Sequence, residues 1–511
     1  MLSLNLLVVL LPLLGQLANS ASLSVPKRDH NDYVKNPKRV TCYVGTWFHY
    51  RGYSLDQIPA QLCTHLYYGF AKINEKSYEL EAADPELDIH LNGYKTFNDL
   101  RQKNPLLSTF ISLGGFYEGS EKYSDMAKQP NRQTFIKSAV DFLKKYDFDG
   151  LDLNWEYPAN RGGDEQKDKD NFVQLVQELR AELDKDGYLL TAHLSPVRST
   201  IDKAYDIEKL NTLLDWANVQ AYDYHGSYDN GLEHPAPLYN NPYDPKTDSV
   251  LSINYTVSYY LDRGLSKDKM VLGLPFHGRS WILEDKSHVR LHDSARGMSP
   301  ELPYSKESGV VAFNEICKLS LDYPSQWHMH FDWDYEAPYT YNDKIFVGYD
   351  DIYSIECKIT YLKKIGLSGV MISGLQFDDY KNDCRYGQYS LTYKVQELLN
   401  GLGSMTHECA YRPPPPPDPT TLPPPTTPTT HHTDPTLPPT LPPTTTPIPI
   451  SERCARQCGK RLWCNISFPG NEHKFIACRD IPDKGWWETY FDCSVHTKFN
   501  PRTENCDIPD L

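Results

Sequence analysis

Three polar residues at alternate positions, Asp152, Asn154 and Glu156, close the run Asp149-Gly-Leu-Asp152-Leu-Asn154-Trp-Glu156. Side chains alternate along a strand, so the three share one face, with Glu156 outermost. Burying such a row is costly unless its members form a hydrogen-bonded network. Bulky apolar residues would fill an inward face more cheaply, so the row reads as a site rather than as packing. The chemistry it offers is that of a polar network ending in a carboxyl group.

The elements around this run position it. Eight short apolar segments rich in Val, Ile, Leu, Tyr or Phe read as strands: Val40–Trp47, His65–Ile73, Ser108–Gly115, Phe148–Trp155, Leu189–Ser195, Trp216–Tyr222, Met270–Phe276 and Gly369–Gln376. Stretches such as Gln133–Tyr146 and Asn171–Leu183, with apolar residues at helical spacing, separate them. Strands alternating with helices in this number predict an α/β fold, a (β/α)8 barrel, whose functional groups gather at the carboxyl ends of the strands. The interval between Phe276 and Gly369 is far longer than one helix needs. It predicts an inserted α+β subdomain over about 278–350 of a barrel spanning 22–411.

The ends of the chain set its context. Residues 2–17 are almost all apolar and are followed by Ala18-Asn19-Ser20, which reads as a signal peptide over 1–20 rather than a membrane span. The expectation is a secreted, extracellular protein with no membrane span. The 12 Cys then read as disulfides, and Asn254 and Asn465, each in an Asn-x-Ser/Thr sequon, as candidate glycan sites. Residues 412–449 are nearly all Pro and Thr, an extended spacer without regular structure. Residues 452–511 hold Cys454, Cys458, Cys464, Cys478, Cys493 and Cys506, a module too small to do without disulfides. A net charge of −15 with no basic run argues against nucleic-acid partners and leaves neutral polymers open. No cluster of metal-ligand spacing is present, and His431 and His432 lack a third ligand nearby.

The run at Asp152–Glu156 closely resembles the Asp-x-x-Asp-x-Asp-x-Glu signature of glycoside hydrolase family 18, the chitinases and chitinase-like lectins. The similarity covers essentially all of residues 38–400. Ser112-Leu-Gly-Gly115, Ala221-Tyr222-Asp223-Tyr-His-Gly226 and Phe276-His-Gly-Arg279-Ser-Trp281 resemble further family motifs on the expected strands. The whole chain is most similar to arthropod chitinase-like proteins, mite chitinase-like allergens among them. The partner implied is chitin or its oligosaccharides, and the chemistry, substrate-assisted retention, needs no metal or organic cofactor. Glu156 would be the acid and base, Asp152 its inner neighbour, Tyr222 the donor to the acetamido carbonyl, and Asp223 a holder of the sugar. Tyr43, Phe70, Gly115, Trp155, Tyr157, Gln220, Arg279, Trp281 and Ser373 would line the substrate cleft. The resemblance also implies the bridges Cys42–Cys63 and Cys317–Cys384 and leaves Cys357 and Cys409 unassigned. The six-Cys tail resembles a peritrophin-type chitin-binding module, with Phe475, Trp486, Trp487, Tyr490 and Phe491 as its aromatics.

Departures from the family pattern bear on activity. Asn154 stands where the family has an aspartate, Ser373 where it usually has Trp, Gln220 where Met is usual, and Phe116 where Trp often follows the Gly pair. Asn has the shape to accept the acetamido N–H but no charge for the oxazolinium ion. Three functions are therefore expected in competition: a chitin-binding protein with weak or lost hydrolysis, a working endochitinase, and a structural component of a chitin matrix.

Overall fold

The computed structural model describes residues 38–401, apart from 227, 242–243, 245–249 and 288, and residues 409–412. Beyond these it describes only the backbone of short strands within 463–507. The readings made for residues 1–20, the spacer over 412–449 beyond Arg412, and the side chains of Asn465, Phe475, Trp486, Trp487, Tyr490 and Phe491 lie outside the described residues.

Eight parallel strands close the barrel: β1 (Arg39–Gly45), β2 (His65–Ile73), β3 (Ser108–Gly114), β4 (Gly150–Asn154), β5 (Leu189–Leu194), β6 (Trp216–Val219), β7 (Met270–Pro275) and β8 (Gly369–Ser373). Each pairs with the next, and β8 returns to β1 through Arg39↔Gly369 to Cys42↔Ile372. The fold class is the one expected from the alternation of strands and helices. Nearly every strand residue is buried, because the outer face meets helices and the inner face meets the opposite wall. The helix Asn131–Tyr146 turns Phe135, Ile136, Ala139, Phe142 and Leu143 inward at helical spacing. The helix Ile352–Ile365, which delivers the chain to β8, starts at a capping box of Asp351 and Ser354. It ends at Gly366, whose φ of 88° a residue with a Cβ adopts at a cost.

Inside the barrel, Tyr43, Tyr67, Phe110, Trp216, Val271 and Met371 form a separate apolar column. Tyr67 stacks between Tyr43 and Phe110, with ring centroids 4.5 and 4.7 Å away. This column floors the cleft above it. Between β7 and β8 lies a sheet of six strands, His277–Leu283, Ala295–Met298, Val310–Ala312, His328–Asp332, Ala337–Tyr341 and Ile345–Gly348, with the helix Phe313–Asp322. Its core joins Leu232, Trp281, Leu283 and Phe346. Cys42–Cys63, Cys317–Cys384 and Cys357–Cys409 are disulfide-bonded. The last bridge ties residues 409–412 to the helix Ile352–Ile365. It also engages both sulfurs of the Glu336, Cys357 and Cys409 cluster that would otherwise suit a metal ion. Among the described residues no helix is long and apolar enough to cross a membrane.

Candidate active site

The end of β3 lets β4 come close. Gly114 and Gly115 both have positive φ, 121° and 96°. A Cβ at 114 would stand 2.2 Å from the Asn154 carbonyl oxygen, and one at 115 would stand 3.0 Å from the Phe70 ring. Gly115 N–H donates to that same Asn154 oxygen at 2.9 Å. The register sets Ser112 beside Asp152 and Gly114 beside Asn154. The glycine pair thus brings the working strand within reach of its neighbour.

Asp152 is fully buried and receives four donors from four strands. Tyr43 Oη (2.6 Å) and Ser112 Oγ (2.7 Å) donate to Oδ2; Thr191 Oγ1 (2.7 Å) and Asn218 Nδ2 (3.4 Å) donate to Oδ1. Burial raises its pKa above the usual carboxylate value, and these donors hold the rise back. With both oxygens engaged, Asp152 is anchored to the barrel floor. Asn154, the next residue outward on the same face, is buried, and its Oδ1 has no hydrogen-bond partner among the described residues. An amide oxygen so placed is an acceptor waiting for an N–H.

Glu156 sits at the mouth and is only 6% exposed. Burial pushes its pKa up to about 7, the neighbouring Asp223 adding to the rise, while a hydrogen bond from Gln220 and the charge of Arg161 oppose it. Gln220 Nε2 donates to Glu156 Oε1 at 3.2 Å, and Tyr157 Oη donates to Gln220 Oε1 at 2.5 Å. Gln220 thereby acts as a bracket between β6 and the end of β4. Arg161 Nη1 donates to the Glu156 carbonyl oxygen at 2.9 Å, and its guanidinium lies 3.9 Å over the Phe116 ring.

Asp223 follows β6 with a φ of 53° and receives Arg279 Nε at 2.8 Å and Nη2 at 2.6 Å, with His277 Nε2 at 3.1 Å. Burial alone would raise its pKa. The Arg279 and His277 charges outweigh it and hold the carboxyl well below the usual range. A carboxylate that stays ionised and a carboxyl poised near neutrality therefore face the same cleft, an arrangement suited to proton transfer by Glu156. Tyr222 Oη meets His193 Nε2 at 3.2 Å, and Ser373, half-buried at the end of β8, is a further hydrogen-bonding neighbour of this hydroxyl.

The structure brings together Asp152, Asn154, Glu156, Tyr157, Gln220, Tyr222, Asp223, Arg279 and Ser373. It corrects three expected cleft residues. Trp155 lies between Asn154 and Glu156 and so points away from the barrel interior. It packs against Tyr123 and Phe172 and donates its indole N–H to Ser120 Oγ at 2.6 Å. Trp281 is fully buried in the core of the insert. Tyr43 is 5% exposed, its ring flanked by Tyr67 and His193, and it holds Asp152 rather than offering a face to a sugar. Phe70 is half-buried and stacks on Trp47, centroids 5.9 Å apart. Asn254 is half-buried in the first turn of the helix Ile253–Asp262, its Oδ1 accepting from Tyr361 Oη at 2.9 Å.

Sequence reasoning missed several members of the site. Thr191 and His193 alternate on β5, and Asn218 lies two residues before the anticipated Gln220 along β6 and its continuation. The alternation that singled out Asp152, Asn154 and Glu156 also marks these as inward residues. The exposed rings of Trp47, Tyr117 and Tyr228, beside the anticipated Phe116, follow β1, β3 and β6 at the mouth. Their signal was only their place in the segments that follow those strands.

A closed barrel with a buried acid at the end of β4, beside a row of amide, phenol and carboxylate groups, defines the class as a (β/α)8 barrel built like a glycoside hydrolase. The chain belongs to glycosyl hydrolases family 18, whose pattern it matches over residues 39–378. It is 36% identical over 360 residues to an endochitinase of Manduca sexta, covering 68% of this chain and 65% of that one. It thus spans just under two thirds of that relative. A Group IV chitinase of Ostrinia furnacalis superposes with a TM-score of 0.69 at 35% identity, covering 71% of this chain and all of the other. Human YKL-39, described as a pseudo-chitinase with retained chitooligosaccharide binding, superposes with a TM-score of 0.66 at 31% identity, covering 71% of this chain and all of the other.

Proposed function

We propose that this is a secreted protein that binds chitin and its β-1,4-linked N-acetylglucosamine oligomers, with hydrolysis weak or lost. Asn154 carries the reading: a neutral amide whose buried Oδ1 has no partner among the described residues, set above an Asp152 already saturated by four donors. In the bound state the Asn154 oxygen accepts the acetamido N–H, Tyr222 donates to the acetamido carbonyl, and Asp223 holds the sugar. The exposed rings at the mouth, Trp47, Phe116, Tyr117 and Tyr228, suit stacking on sugar faces. The C-terminal cysteine-rich segment would add a second chitin contact.

The chemical step is where the site falls short. Glu156 protonates the glycosidic oxygen, the substrate's own acetamido oxygen attacks the anomeric carbon, and the resulting oxazolinium is positive. An amide at 154 contributes no charge to that cation and takes no proton from Asp152. Loss of one such preorganised group costs about 3 kcal/mol, roughly 100-fold or more in rate. Ser373 removes the apolar floor beneath the same ring, which weakens support for its distortion.

A second reading, a working endochitinase, draws on Glu156, whose pKa near 7 suits a general acid at neutral pH. A third, a chitin-matrix component whose tail does the binding, predicts that the barrel alone ignores chito-oligosaccharides. The test is turnover and binding of chito-oligosaccharides by the secreted protein beside Asn154→Asp and Glu156→Gln. The proposal expects tight binding, little turnover, and at least a 100-fold gain in Asn154→Asp. Clear wild-type turnover abolished by Glu156→Gln overturns it in favour of the endochitinase.

A further inference from the structure

We propose that His193 is a positioning residue whose tautomer is coupled to the direction of the Tyr222 hydroxyl proton, so that it backs the phenol as donor to an N-acetyl carbonyl and as acceptor from a free amine. The inference rests on the reading above, in which Tyr222 donates to the acetamido carbonyl.

His193 projects inward from β5 and is 5% exposed. Its Nε2 meets Tyr222 Oη at 3.2 Å, and its Nδ1 is buried without a hydrogen-bond partner among the described residues. One side of its ring lies against Tyr43, centroids 5.0 Å apart. Burial pushes its pKa down to about 3, so the ring is neutral near neutral pH. A neutral imidazole has one N–H and two places to carry it.

With the proton on Nε2, His193 donates to the phenol oxygen. The phenol proton is then free to turn toward a ligand carbonyl. With the proton on Nδ1, the phenol donates to Nε2 and presents only lone pairs to the cleft, which repel a carbonyl oxygen. Nδ1 has no partner in either state, as an orphan acceptor in the first and an orphan donor in the second. Ser373 and Gln220, the other hydrogen-bonding neighbours of the Tyr222 hydroxyl, each carry a donor and an acceptor and can serve it in either state, so the ligand makes the choice. An acetamido carbonyl selects Nε2–H. A deacetylated unit, whose amine or ammonium N–H seeks an acceptor, selects Nδ1–H. His193 thus couples the acetylation state of the bound sugar to a proton position one residue removed from it. No net proton is gained or lost.

The test is nitrogen NMR of the histidine-labelled full-length protein, with the His193 signal assigned by its loss in His193→Phe. Spectra are compared free, with tetra-N-acetylchitotetraose, and with the fully deacetylated tetramer. The expected result is the Nε2–H tautomer in the acetylated complex and a measurable shift of population with the deacetylated one. In binding measurements, His193→Phe should weaken both tetramers by about tenfold, because the imidazole backs the phenol in each complex. An Nδ1–H tautomer in the acetylated complex, the same population with both sugars, or an unchanged affinity for both tetramers in His193→Phe overturns the proposal. Should His193→Phe fail to fold, the tautomer shift in the wild-type protein, assigned through His193→Gln, decides alone. Failure of the underlying reading looks different. Wild type would then ignore the acetylated tetramer, or Tyr222→Phe would bind it as tightly as wild type.

Discussion

Replacing Glu156 with Gln should make the protein more stable at alkaline pH and bring little such gain at acid pH. The magnitude follows from the burial of the carboxyl. Its pKa is raised from 4.5 to about 7 in the folded chain. Between those values the native state holds a proton that the unfolded state has released. Stability therefore falls as pH rises from 4.5 through 7, and above 7 the full cost of burying the ion is felt. A span of roughly 2.5 pH units at about 1.36 kcal/mol each gives about 3 kcal/mol, of which about 2.5 kcal/mol falls between pH 5 and pH 8. Gln keeps an oxygen for the Gln220 amide but cannot ionise, so the variant escapes the loss. The assay is guanidinium unfolding of the disulfide-intact protein, wild type and Glu156→Gln, at about pH 5 and about pH 8. The difference between variants is then itself differenced across pH, which cancels every other titration. A double difference within about 0.5 kcal/mol of zero would mean that Glu156 is solvated as an ion, and the argument for a poised acid would fail with it.

Three further outcomes follow from single contacts. Gln220→Met deletes the donor that opposes the rise of the Glu156 pKa, so that pKa should climb beyond about 7 in a carboxyl NMR titration, and the alkaline loss of stability should reach to higher pH. Trp281→Ala should cost about 3–5 kcal/mol of stability while leaving chito-oligosaccharide affinity unchanged, because the ring fills the core of the insert and not the cleft. A drop in affinity in a variant that melts normally would restore Trp281 to the binding site. Lys358→Met takes from Asp350 the ammonium it pairs with, both partners being fully buried and 2.5 Å apart, and leaves it the Ser354 hydroxyl; it should cost about 3–5 kcal/mol, most of it recovered in the double variant with Asp350→Asn.

What could be read from the chain alone was whatever depends on local periodicity. Eight strand segments alternating with helical ones implied the barrel, and the two-residue repeat of β4 put Asp152, Asn154 and Glu156 on one inward face. The same repeat placed Trp155 on the other face, a signal that the search for sugar-stacking rings passed over. It also carried Thr191, His193 and Asn218, on strands whose motifs drew attention to other residues. Two of the disulfides were implied by family resemblance, but joining Cys357 to Cys409 required knowing that residues 409–412 return to the helix before β8.

Tertiary structure alone decided what each inward group touches. The four donors to Asp152 come from β1, β3, β5 and β6, and only the closure and stagger of the barrel bring them to one level. Gln220 reaches Glu156 past the end of β5, which lies between the strands that carry them, and no pattern within either strand encodes that distance. The fate of Trp281 depended on which face of the insert sheet is covered, which Leu232 and Phe346, far from it in sequence, settle by packing on its ring. The segment that runs from β4 to Glu156 was thus legible as a site from alternation. Its charge state, its bracket on Gln220 and the unpartnered oxygen of Asn154 are properties of burial, which no single strand possesses before the barrel closes around it.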